Sequence, residues 1–208
     1  MKPILLNNAL IEHKLAILRD KNTGTKEFRE IISEIATCLC YEAMKDAELK
    51  EEEIETPICK TKVRKIDEEK YVFVPILRAG TGMLDGLTRI VPNAKIGHIG
   101  LSRDEKTLKP VKYYYKMPKD VDLREAIILD PMLATGGSAV DTIDSLKKDG
   151  VKKIKFLCII AAPEGIRKIE EIHPDVQVYT SSIDEKLNEV GYIVPGLGDA
   201  GDRIFGTK

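Results

Sequence analysis

The segment AIILDPMLATGGSAVDTI, residues 126–143, carries polar groups at a point where a strand would give way to a helix. Two glycines allow backbone N–H groups to approach an anion, and the N-terminus of a helix adds partial positive charge. The pattern predicts a phosphate-binding loop, beside which Asp130 suits sugar hydroxyls or the shell of a metal ion. A glycine-rich turn without a ligand is the alternative for T-G-G-S alone, and the lysine of a P-loop is absent. The T-G-G-S turn comprises Thr135, Gly136, Gly137 and Ser138.

A second candidate segment, PILRAGTGM at 75–83, has the same order of apolar strand, turn and helix start. Arg78 supplies a planar fork of N–H donors, and Gly80 allows close backbone approach, a combination that suits pyrophosphate. A surface salt bridge is the commoner role for an arginine chosen at random. The position of Arg78 beside glycines at a strand end favours a ligand instead.

The third candidate segment, GYIVPGLGDAGDRIFG at 191–206, is dense in glycine. Its specificity must come from exposed backbone N–H and C=O groups, which can pair with the edge of a flat polar ring. A disordered tail is the alternative. Aliphatic and aromatic residues between the glycines argue for an ordered segment, namely Ile193, Val194, Leu197, Ile204 and Phe205.

Short apolar runs, each followed by a turn and then a helical stretch, predict the scaffold that positions these segments. The runs lack polar alternation, as expected of parallel strands covered on both faces. Ligands of such open sheets bind outside the carboxyl ends of the strands, where the first two segments fall. The predicted strands are YVFVPIL (71–77), AKIGHIGL (94–101), AIILD (126–130), KIKFLCIIAA (153–162) and VQVYTSSI (176–183), and the predicted helices span 81–91, 138–148 and 164–172.

The other segments are predicted to pack or to form subunit contacts. Apolar repeats predict a helix across residues 10–18 and a second across 25–43, with Thr25 as its N-cap. Residues 56–66 alternate at period two and predict a strand or hairpin arm with its basic residues on the solvent side. Residues 103–118 suit a hairpin or flap better than a crossover helix.

Composition argues against several classes of function. The 208 residues carry 33 basic and 34 acidic side chains, so no charge bias favours a nucleic acid or a membrane as partner. Signal-peptide features and long apolar runs are absent, and a cytoplasmic protein is expected. The four cysteines lack C-x-x-C spacing and are expected to be buried, reduced thiols. One domain across 1–208 is predicted, because no repeat or linker interrupts the chain.

Three strings carry a resemblance to a known family: ILDPMLATGGS, PILRAGTGM and GYIVPGLGDAGDRIFGT. Together they resemble the uracil branch of the type I phosphoribosyltransferases, and the resemblance covers essentially the whole chain. Most type I members have two adjacent acids at the strand end, whereas Asp130 is followed here by Pro131, as in the uracil branch. The resemblance implies an α/β fold with an open, mostly parallel sheet flanked by helices. N-terminal helices, a β-hairpin arm and a C-terminal base-binding segment are expected to complete it.

The activity implied by the resemblance is pyrimidine salvage. Uracil and 5-phospho-α-D-ribose 1-diphosphate (PRPP) are the expected substrates, and UMP and diphosphate the expected products. Arg78 and Arg103 are expected to bind the pyrophosphate of PRPP, with Arg103 on a lid. Asp130 is expected to hold the ribose hydroxyls. Asp199 is expected to contact PRPP and to orient or ionise uracil N1, which makes these four the expected catalytic residues.

The resemblance also implies the remaining ligand contacts. Mg²⁺ is the expected cofactor, held through PRPP and water without a direct protein ligand. A homodimer or homotetramer is expected, with GTP as an activator in some members of the family. The expected PRPP contacts further include Pro131, Met132, Leu133, Ala134, Thr135, Gly136, Gly137 and Ser138, and the expected uracil contacts are Ile193, Gly198, Asp199 and Ala200.

Two other classes remain as alternatives. RNA-binding pyrimidine regulators use a similar fold, but the balanced charge argues against a basic RNA-binding face. A non-catalytic nucleotide-binding relative would be expected to lack Arg78, Asp130 or the T-G-G-S turn, and all three are present. Among enzymes, orotate and purine transferases are disfavoured because the glycine-rich base segment matches the uracil branch.

Overall fold

A mostly parallel β-sheet with helices on both faces forms the centre of the fold. The computed structural model describes residues 2–103 and 110–207, without the side chains of Arg103 and Pro110. The strands are β1 (Ile4–Leu5), β2 (Leu49–Glu55), β3 (Lys60–Ile66), β4 (Tyr71–Leu77), β5 (Lys95–Ile96), β6 (His98–Arg103), β7 (Pro110–Lys116), β8 (Glu125–Leu129), β9 (Met132–Leu133), β10 (Lys153–Ala161), β11 (Gln177–Ile183), β12 (Lys186–Leu187) and β13 (Ile193–Val194). The helices are α1 (Ala9–Arg19), α2 (Thr25–Ala43), α3 (Thr81–Thr88), α4 (Gly137–Lys148), α5 (Pro163–Ile172) and α6 (Ala200–Phe205).

The main sheet has the strand order β1-β11-β10-β8-β4-β6-β7, with β5 beside β4 and β9 beside β10. Its strands pair in parallel except for β6 and β7, which form an antiparallel pair. The predicted open, mostly parallel sheet is therefore confirmed. The antiparallel pairing of β7 with β6 agrees with the prediction that 103–118 belongs to a hairpin and not to a crossover helix, but the first strand of that hairpin, β6, lies almost entirely before residue 103.

Successive residues of the central strands enter two hydrophobic cores, one on each face of the sheet. In β4, Tyr71 and Phe73 pack with helices α1, α2, α3 and α6. Val72 and Val74, which point the other way, pack with α4 and α5. Because both faces are covered, these strands have no solvent side, which explains the lack of polar alternation in their sequences.

The first two helices begin at different kinds of cap. The side-chain oxygen of Asn8 accepts hydrogen bonds from two amides in the first turn of α1, at 3.0 and 3.1 Å. The N-cap of α2 is Gly24, so the prediction that Thr25 caps this helix is wrong by one residue. Thr25 is already helical, and the first helical hydrogen bond runs from the Phe28 N–H to the Gly24 carbonyl at 2.9 Å. None of the helices within 2–103 and 110–207 is long and apolar enough to cross a membrane.

The hairpin arm differs from its prediction in extent. Strand β3 begins only at Lys60, because residues 56–59 form the turn that joins it to β2. The acidic sequence of β2, LKEEEIE, gave no strand signal, since five of its seven residues are charged. Cross-strand ion pairs such as Lys62 with Glu51, at 2.8 Å, hold it against β3. The basic residues of β3 are exposed on both faces of the arm, and Val63 is the one half-buried residue of this strand.

Other local predictions also differ from the structure. The run at 94–101 is divided into β5 and β6, and α3 ends at Thr88 instead of continuing to residue 91. Val91 precedes Pro92, and a residue before proline disfavours helical geometry, so α3 ends before residue 91. Cys40 and Cys158 are buried as expected, but Cys38 is only half-buried and Cys59 is exposed in the turn of the hairpin arm.

Candidate active site

Strands β4 and β8 form the switch point of the sheet, because their onward connections run to opposite sides. Strand β4 leads through α3 to β5 and β6, whereas β8 leads through α4 to β10. Helices α3 and α4 pack on opposite faces, so a crevice opens between the two turns. Open α/β sheets bind their ligands in such a crevice. Arg78 and Asp130, each directly after its strand, lie at this crevice.

Arg78 extends from the end of β4 toward the C-terminal helix α6. Its Nη2 atom lies 3.5 Å from Asp202 Oδ1, and its Cζ atom lies 5.6 Å from the centre of the Phe205 ring. The side chain of Arg78 is 56% exposed. An exposed ion pair of this length adds little to stability, so the guanidinium is accessible to an anionic ligand at small cost.

Gly80 has a different role from the one that the sequence suggested. A Cβ atom at this position would overlap the carbonyl oxygen of Leu129 and the backbone of Ile76. The Gly80 N–H also donates to the Ile76 carbonyl at 2.9 Å. Its close approach is therefore to strands of the protein itself. The glycine allows the turn after β4 to pack on β8, which corrects the expectation that it makes room for pyrophosphate.

Asp130 lies at the carboxyl end of β8 with few partners of its own. Its N–H donates to the Leu157 carbonyl at 3.2 Å, and its Oδ1 atom accepts a long hydrogen bond of 3.4 Å from the Met132 N–H. Burial raises the pKa of Asp130 to about 7, and the bond from Met132 offsets this only in part. Hydroxyl donors from a ligand would favour the ionised form of this carboxyl.

The loop after Asp130 is fixed to strand β10. The Pro131 carbonyl accepts hydrogen bonds from the N–H groups of Ile159 and Ile160, at 3.0 and 3.1 Å, and β9 pairs with β10. The turn into α4 requires glycine at Gly136, whose φ of 76° is left-handed. A Cβ atom there would also lie 3.1 Å from the Gly165 carbonyl oxygen. This anchoring gives the loop a single backbone path.

The N-terminus of α4 faces open space at the crevice. Helix geometry leaves the first amides of α4 without acceptors inside the helix, and the first helical bond runs from the Val140 N–H to the Gly136 carbonyl at 3.0 Å. The nearest atom to a Cβ built on Gly137 would be Thr135 Oγ1, at 3.7 Å. These amides and the positive end of a 12-residue helix suit a phosphate group. Ser138, in the first turn, adds a hydroxyl.

Replacing Gly137 with alanine is expected to weaken PRPP binding by about tenfold or more, equivalent to about 1.4 kcal/mol. The added methyl group would occupy the open space at the helix N-terminus, while the fold changes by less than about 0.5 kcal/mol. Gly136→Ala is the contrasting variant, because a side chain at a φ of 76° costs about 1 kcal/mol of stability. Calorimetric titration with PRPP and thermal unfolding separate the two effects. Wild-type affinity in Gly137→Ala would contradict a phosphate site at this turn.

The C-terminal segment is ordered, in agreement with the sequence. Ile193 is buried on β13, which pairs with β12, and Gly198 has a left-handed φ of 80°. Asp199 is the N-cap of α6, where its Oδ1 atom accepts a hydrogen bond from the Asp202 N–H at 2.9 Å. Ala200, the first residue of α6, is buried. The four predicted uracil contacts thus lie along one short stretch, from the first residue of β13 to the first residue of α6.

The C-terminal segment meets the other two candidate segments. A Cβ atom at Gly191 would lie 3.9 Å from Thr135 Cγ2. A Cβ atom at Gly201 would lie 3.2 Å from Asp199 Oδ1 and 3.8 Å from Arg78 Nη2. The base segment therefore contacts the T-G-G-S turn at one end and the Arg78 turn at the other. The three segments that the sequence singled out separately form one site.

Arg103 is the last residue of β6, and its side chain lies outside the described residues. Its contact with PRPP stays a prediction, as does a lid formed by the segment that it opens.

Three charged residues near the base segment were not found from the sequence. Arg19, at the end of α1, pairs with the buried Asp184, and Arg203 on α6 bonds to the end of α1. An arginine in the last turn of an amphipathic helix is common and carries no distinctive signal. Asp184 did have a signal, because an acid directly after a buried strand was the feature that identified Asp130.

Comparisons with known proteins agree with this geometry. A hypoxanthine-guanine phosphoribosyltransferase from Bacillus anthracis has a similar fold, with a TM-score of 0.50 and 18% identity over 76% of this chain and 79% of that one. At this level of identity, the likeness shows that the two proteins share a fold. A solved structure of the AQ2163 protein from Aquifex aeolicus superposes with a TM-score of 0.93 at 41% identity, over 100% of this chain and 99% of that one.

The sequence comparisons identify both the class, the phosphoribosyltransferases, and the family within it. A family profile described as uracil phosphoribosyltransferase matches residues 5–207. Uracil phosphoribosyltransferase of Geobacillus kaustophilus is 59% identical over 207 residues, covering 100% of this chain and 99% of the relative. The protein of the same name from Clostridium botulinum is 60% identical over 199 residues, covering 96% and 95%. The chain belongs to the uracil phosphoribosyltransferase family.

Proposed function

We propose that this chain transfers the 5-phosphoribosyl group of PRPP to uracil, giving UMP and diphosphate in pyrimidine salvage. The observation that carries this proposal is the convergence of the three segments, in which Arg78 and the T-G-G-S turn border the base segment and Asp130 ends the strand that leads into that turn. Uracil N1 forms a bond to ribose C1 as the C1–O bond to diphosphate breaks, and the N1 proton is released. Positive charge develops on the ribose ring and negative charge on the leaving diphosphate.

Arg78 is the residue placed to stabilise the leaving group. Its guanidinium is exposed at the carboxyl end of β4, where it can form charge-assisted hydrogen bonds with diphosphate oxygens. Because this charge grows as the C1–O bond breaks, a preorganised cation lowers the barrier more than it strengthens substrate binding. Arg103 is proposed as a second cation for the same group.

The turn after β8 is proposed to hold the other end of PRPP. The 5-phosphate accepts hydrogen bonds from the first amides of α4 and from the hydroxyls of Thr135 and Ser138. Asp130 accepts hydrogen bonds from the ribose hydroxyls. The intervening loop is proposed to complete the contact with PRPP through its backbone, whose path is fixed by β10. This loop comprises Pro131, Met132, Leu133 and Ala134.

The base segment is proposed to recognise uracil through its backbone. Uracil presents two carbonyl acceptors and two N–H donors, which match the N–H and C=O groups of Ile193, Gly198 and Ala200. Cytosine carries an amino group in place of one carbonyl. That amino group is a hydrogen-bond donor and would face a backbone N–H, which is also a donor. A site that leaves such a group unpaired rejects the wrong base strongly.

Asp199→Asn is expected to lower turnover by at least about tenfold and to alter its dependence on pH, because a general base contributes about 10²- to 10⁴-fold. Asparagine caps helices as well as aspartate does, so the hydrogen bond to the Asp202 N–H and the start of α6 are retained. Asp85→Asn, at an exposed carboxylate on α3, is the matched control. Full activity of Asp199→Asn at every pH would remove Asp199 from this role.

Magnesium is proposed as the cofactor, and the donor set at the site suits it. Mg²⁺ commonly binds through one or two carboxylates together with substrate phosphates and water. Asp130 and Asp199 are carboxylates at the site, and within the described ranges no three metal-binding side chains gather. An ion held through PRPP and water, near these two carboxylates, would neutralise charge on the diphosphate.

A homo-oligomer in the cytoplasm is proposed as the form in which the enzyme works. The hairpin arm of β2 and β3 supports this, because it is exposed on both faces and Ile58 at its turn is 92% exposed. Light scattering after gel filtration distinguishes a dimer from a tetramer. The same runs with GTP report whether this nucleotide changes the assembly.

The decisive experiment incubates the purified protein with PRPP and magnesium and offers uracil, orotate, cytosine and hypoxanthine separately. UMP and diphosphate are expected from uracil alone, and a parallel series with GTP tests activation. If no base gives a product while PRPP still binds, the catalytic proposal fails. A gel shift with pyrimidine-operon leader RNA would then test the regulator alternative.

A further inference from the structure

The last turn of α1 lies against the base segment, although the sequence indicates only a packing role for this helix. Arg19 Nη1 donates hydrogen bonds to Asp184 Oδ2 and to the Gly196 carbonyl, both at 2.7 Å. Arg19 Nη2 donates to Asp184 Oδ1 at 2.6 Å and to Ser182 Oγ at 3.1 Å. One guanidinium therefore joins the end of α1 to three residues of the C-terminal part of the chain.

Asp184 is the buried partner in this cluster, with a side chain that is 1% exposed. Its Oδ2 atom also accepts from the Gly196 N–H at 2.9 Å, and its Oδ1 atom accepts from the Ser182 hydroxyl at 2.8 Å. Burial alone would raise the pKa of Asp184, but the hydrogen bonds from Arg19, Ser182 and Gly196 outweigh it and lower the pKa. The carboxylate is ionised and has donors on both oxygens.

Gly196 is the residue that the ion pair fixes. Arg19 binds its carbonyl and Asp184 binds its N–H, so both of its backbone polar groups are held. Gly196 has a left-handed φ of 65° and lies between Ile193 and Gly198, two of the residues proposed to bind uracil. Because the turn is short, its orientation at Gly196 determines where the backbone groups on either side point.

A second arginine joins the same two parts of the chain. Arg203 on α6 donates to the Leu18 carbonyl at 2.5 Å, to the Asp20 carbonyl at 2.6 Å and to the Leu197 carbonyl at 2.8 Å. Its guanidinium also lies 4.2 Å from the centre of the Phe28 ring. The end of α1 thus supports the base segment both before and after Gly198.

We propose that Arg19 and Asp184 are positioning residues for base recognition. By fixing Gly196, they set the distance and angle at which the base segment offers its N–H and C=O groups to the pyrimidine. This inference rests on the proposed function and deepens it. PRPP is proposed to bind mainly at the turns after β4 and β8. Loss of the ion pair should therefore raise the KM for uracil far more than the KM for PRPP.

Arg19→Met is expected to raise the KM for uracil about 10- to 100-fold, as for loss of hydrogen bonds to a charged group, and the KM for PRPP by less than about threefold. Arg19→Lys should recover part of this loss, because an ammonium bonds fewer acceptors at once than the guanidinium fork does. Asp184→Asn should act in the same direction as Arg19→Met. Steady-state rates, with each substrate varied against a saturating amount of the other, measure the difference.

Two further variants provide a milder change at the same cluster and a structural control. Ser182→Ala removes only the hydroxyl shared by Arg19 and Asp184, so a smaller rise in the KM for uracil is expected even if Arg19→Met does not fold. Lys155→Met is the matched structural control, because Lys155 is a buried cation paired with Glu125 at 2.8 Å, at the amino end of β8. This variant should lower the thermal unfolding temperature without raising the KM for uracil more than the KM for PRPP.

The outcomes are distinguishable from failure of the proposed function. Absence of UMP from wild-type protein would reject the function itself. If wild-type protein makes UMP, an unchanged KM for uracil in folded Arg19→Met and Ser182→Ala would overturn the positioning role. An equal rise of both KM values in these variants would also overturn it, because it would indicate a general loss of structure.

Discussion

An Arg78→Ala variant is expected to fold normally and to lose about 10²- to 10³-fold in turnover, the range for one preorganised charge-stabilising group. The reason is that the guanidinium acts on charge that develops as diphosphate leaves. Stability should change little, because the side chain is 56% exposed and its ion pair with Asp202 is 3.5 Å long. The loss should therefore appear in kcat, with thermal unfolding unchanged.

The measurement for Arg78→Ala is a single-turnover rate with uracil and PRPP at saturation. Arg89→Ala is the matched control, since Arg89 is an exposed arginine at the other end of α3. It removes the same charge from the same region of the chain without touching the crevice. Wild-type rates in Arg78→Ala would exclude this residue from the site, and equal losses in both variants would indicate a nonspecific effect of net charge.

Local sequence patterns were sufficient to predict those elements whose structure depends on neighbouring residues of the chain. The run YVFVPIL at 71–77 coincides with strand β4, because continuous apolar residues of that length require cover on both faces. The T-G-G-S turn was recognisable because a left-handed glycine at Gly136 and the start of α4 follow each other directly in the sequence. Each of these signals lies within about ten residues of chain.

Features that depend on distant contacts could not be predicted in this way. Arg19 and Asp184 are 165 residues apart, and neither has a local reason to pair with the other. Gly80 shows a second limit, because the pattern indicates that glycine is needed but not whether a ligand or Leu129 fills the space. Strand β2 shows a third, since it is held by pairing with β3 and not by an apolar face.

Asp130→Asn is expected to lower kcat/KM for PRPP about 100-fold at pH 8, because a neutral amide forms weaker hydrogen bonds with two ribose hydroxyls than a carboxylate does. In wild-type enzyme, the pKa of Asp130 near 7 should appear in this parameter, which reports groups of the free enzyme. The value should fall about tenfold per pH unit below that pKa. The phosphates of PRPP titrate equally for both enzymes, so the ratio of wild type to variant isolates Asp130.

Stability provides a second, substrate-free measure of the same carboxyl. The native pKa of about 7 lies above the ordinary value of 3.8, so the native state binds more protons than the unfolded chain between these values. The free energy of unfolding must therefore fall as pH rises through this interval. Asp130→Asn cannot titrate, so it should gain stability relative to wild type between pH 4 and pH 8. Parallel pH dependence of unfolding in the two proteins would show that Asp130 is not desolvated in the free enzyme, and the pH dependence of kcat/KM would then need another group.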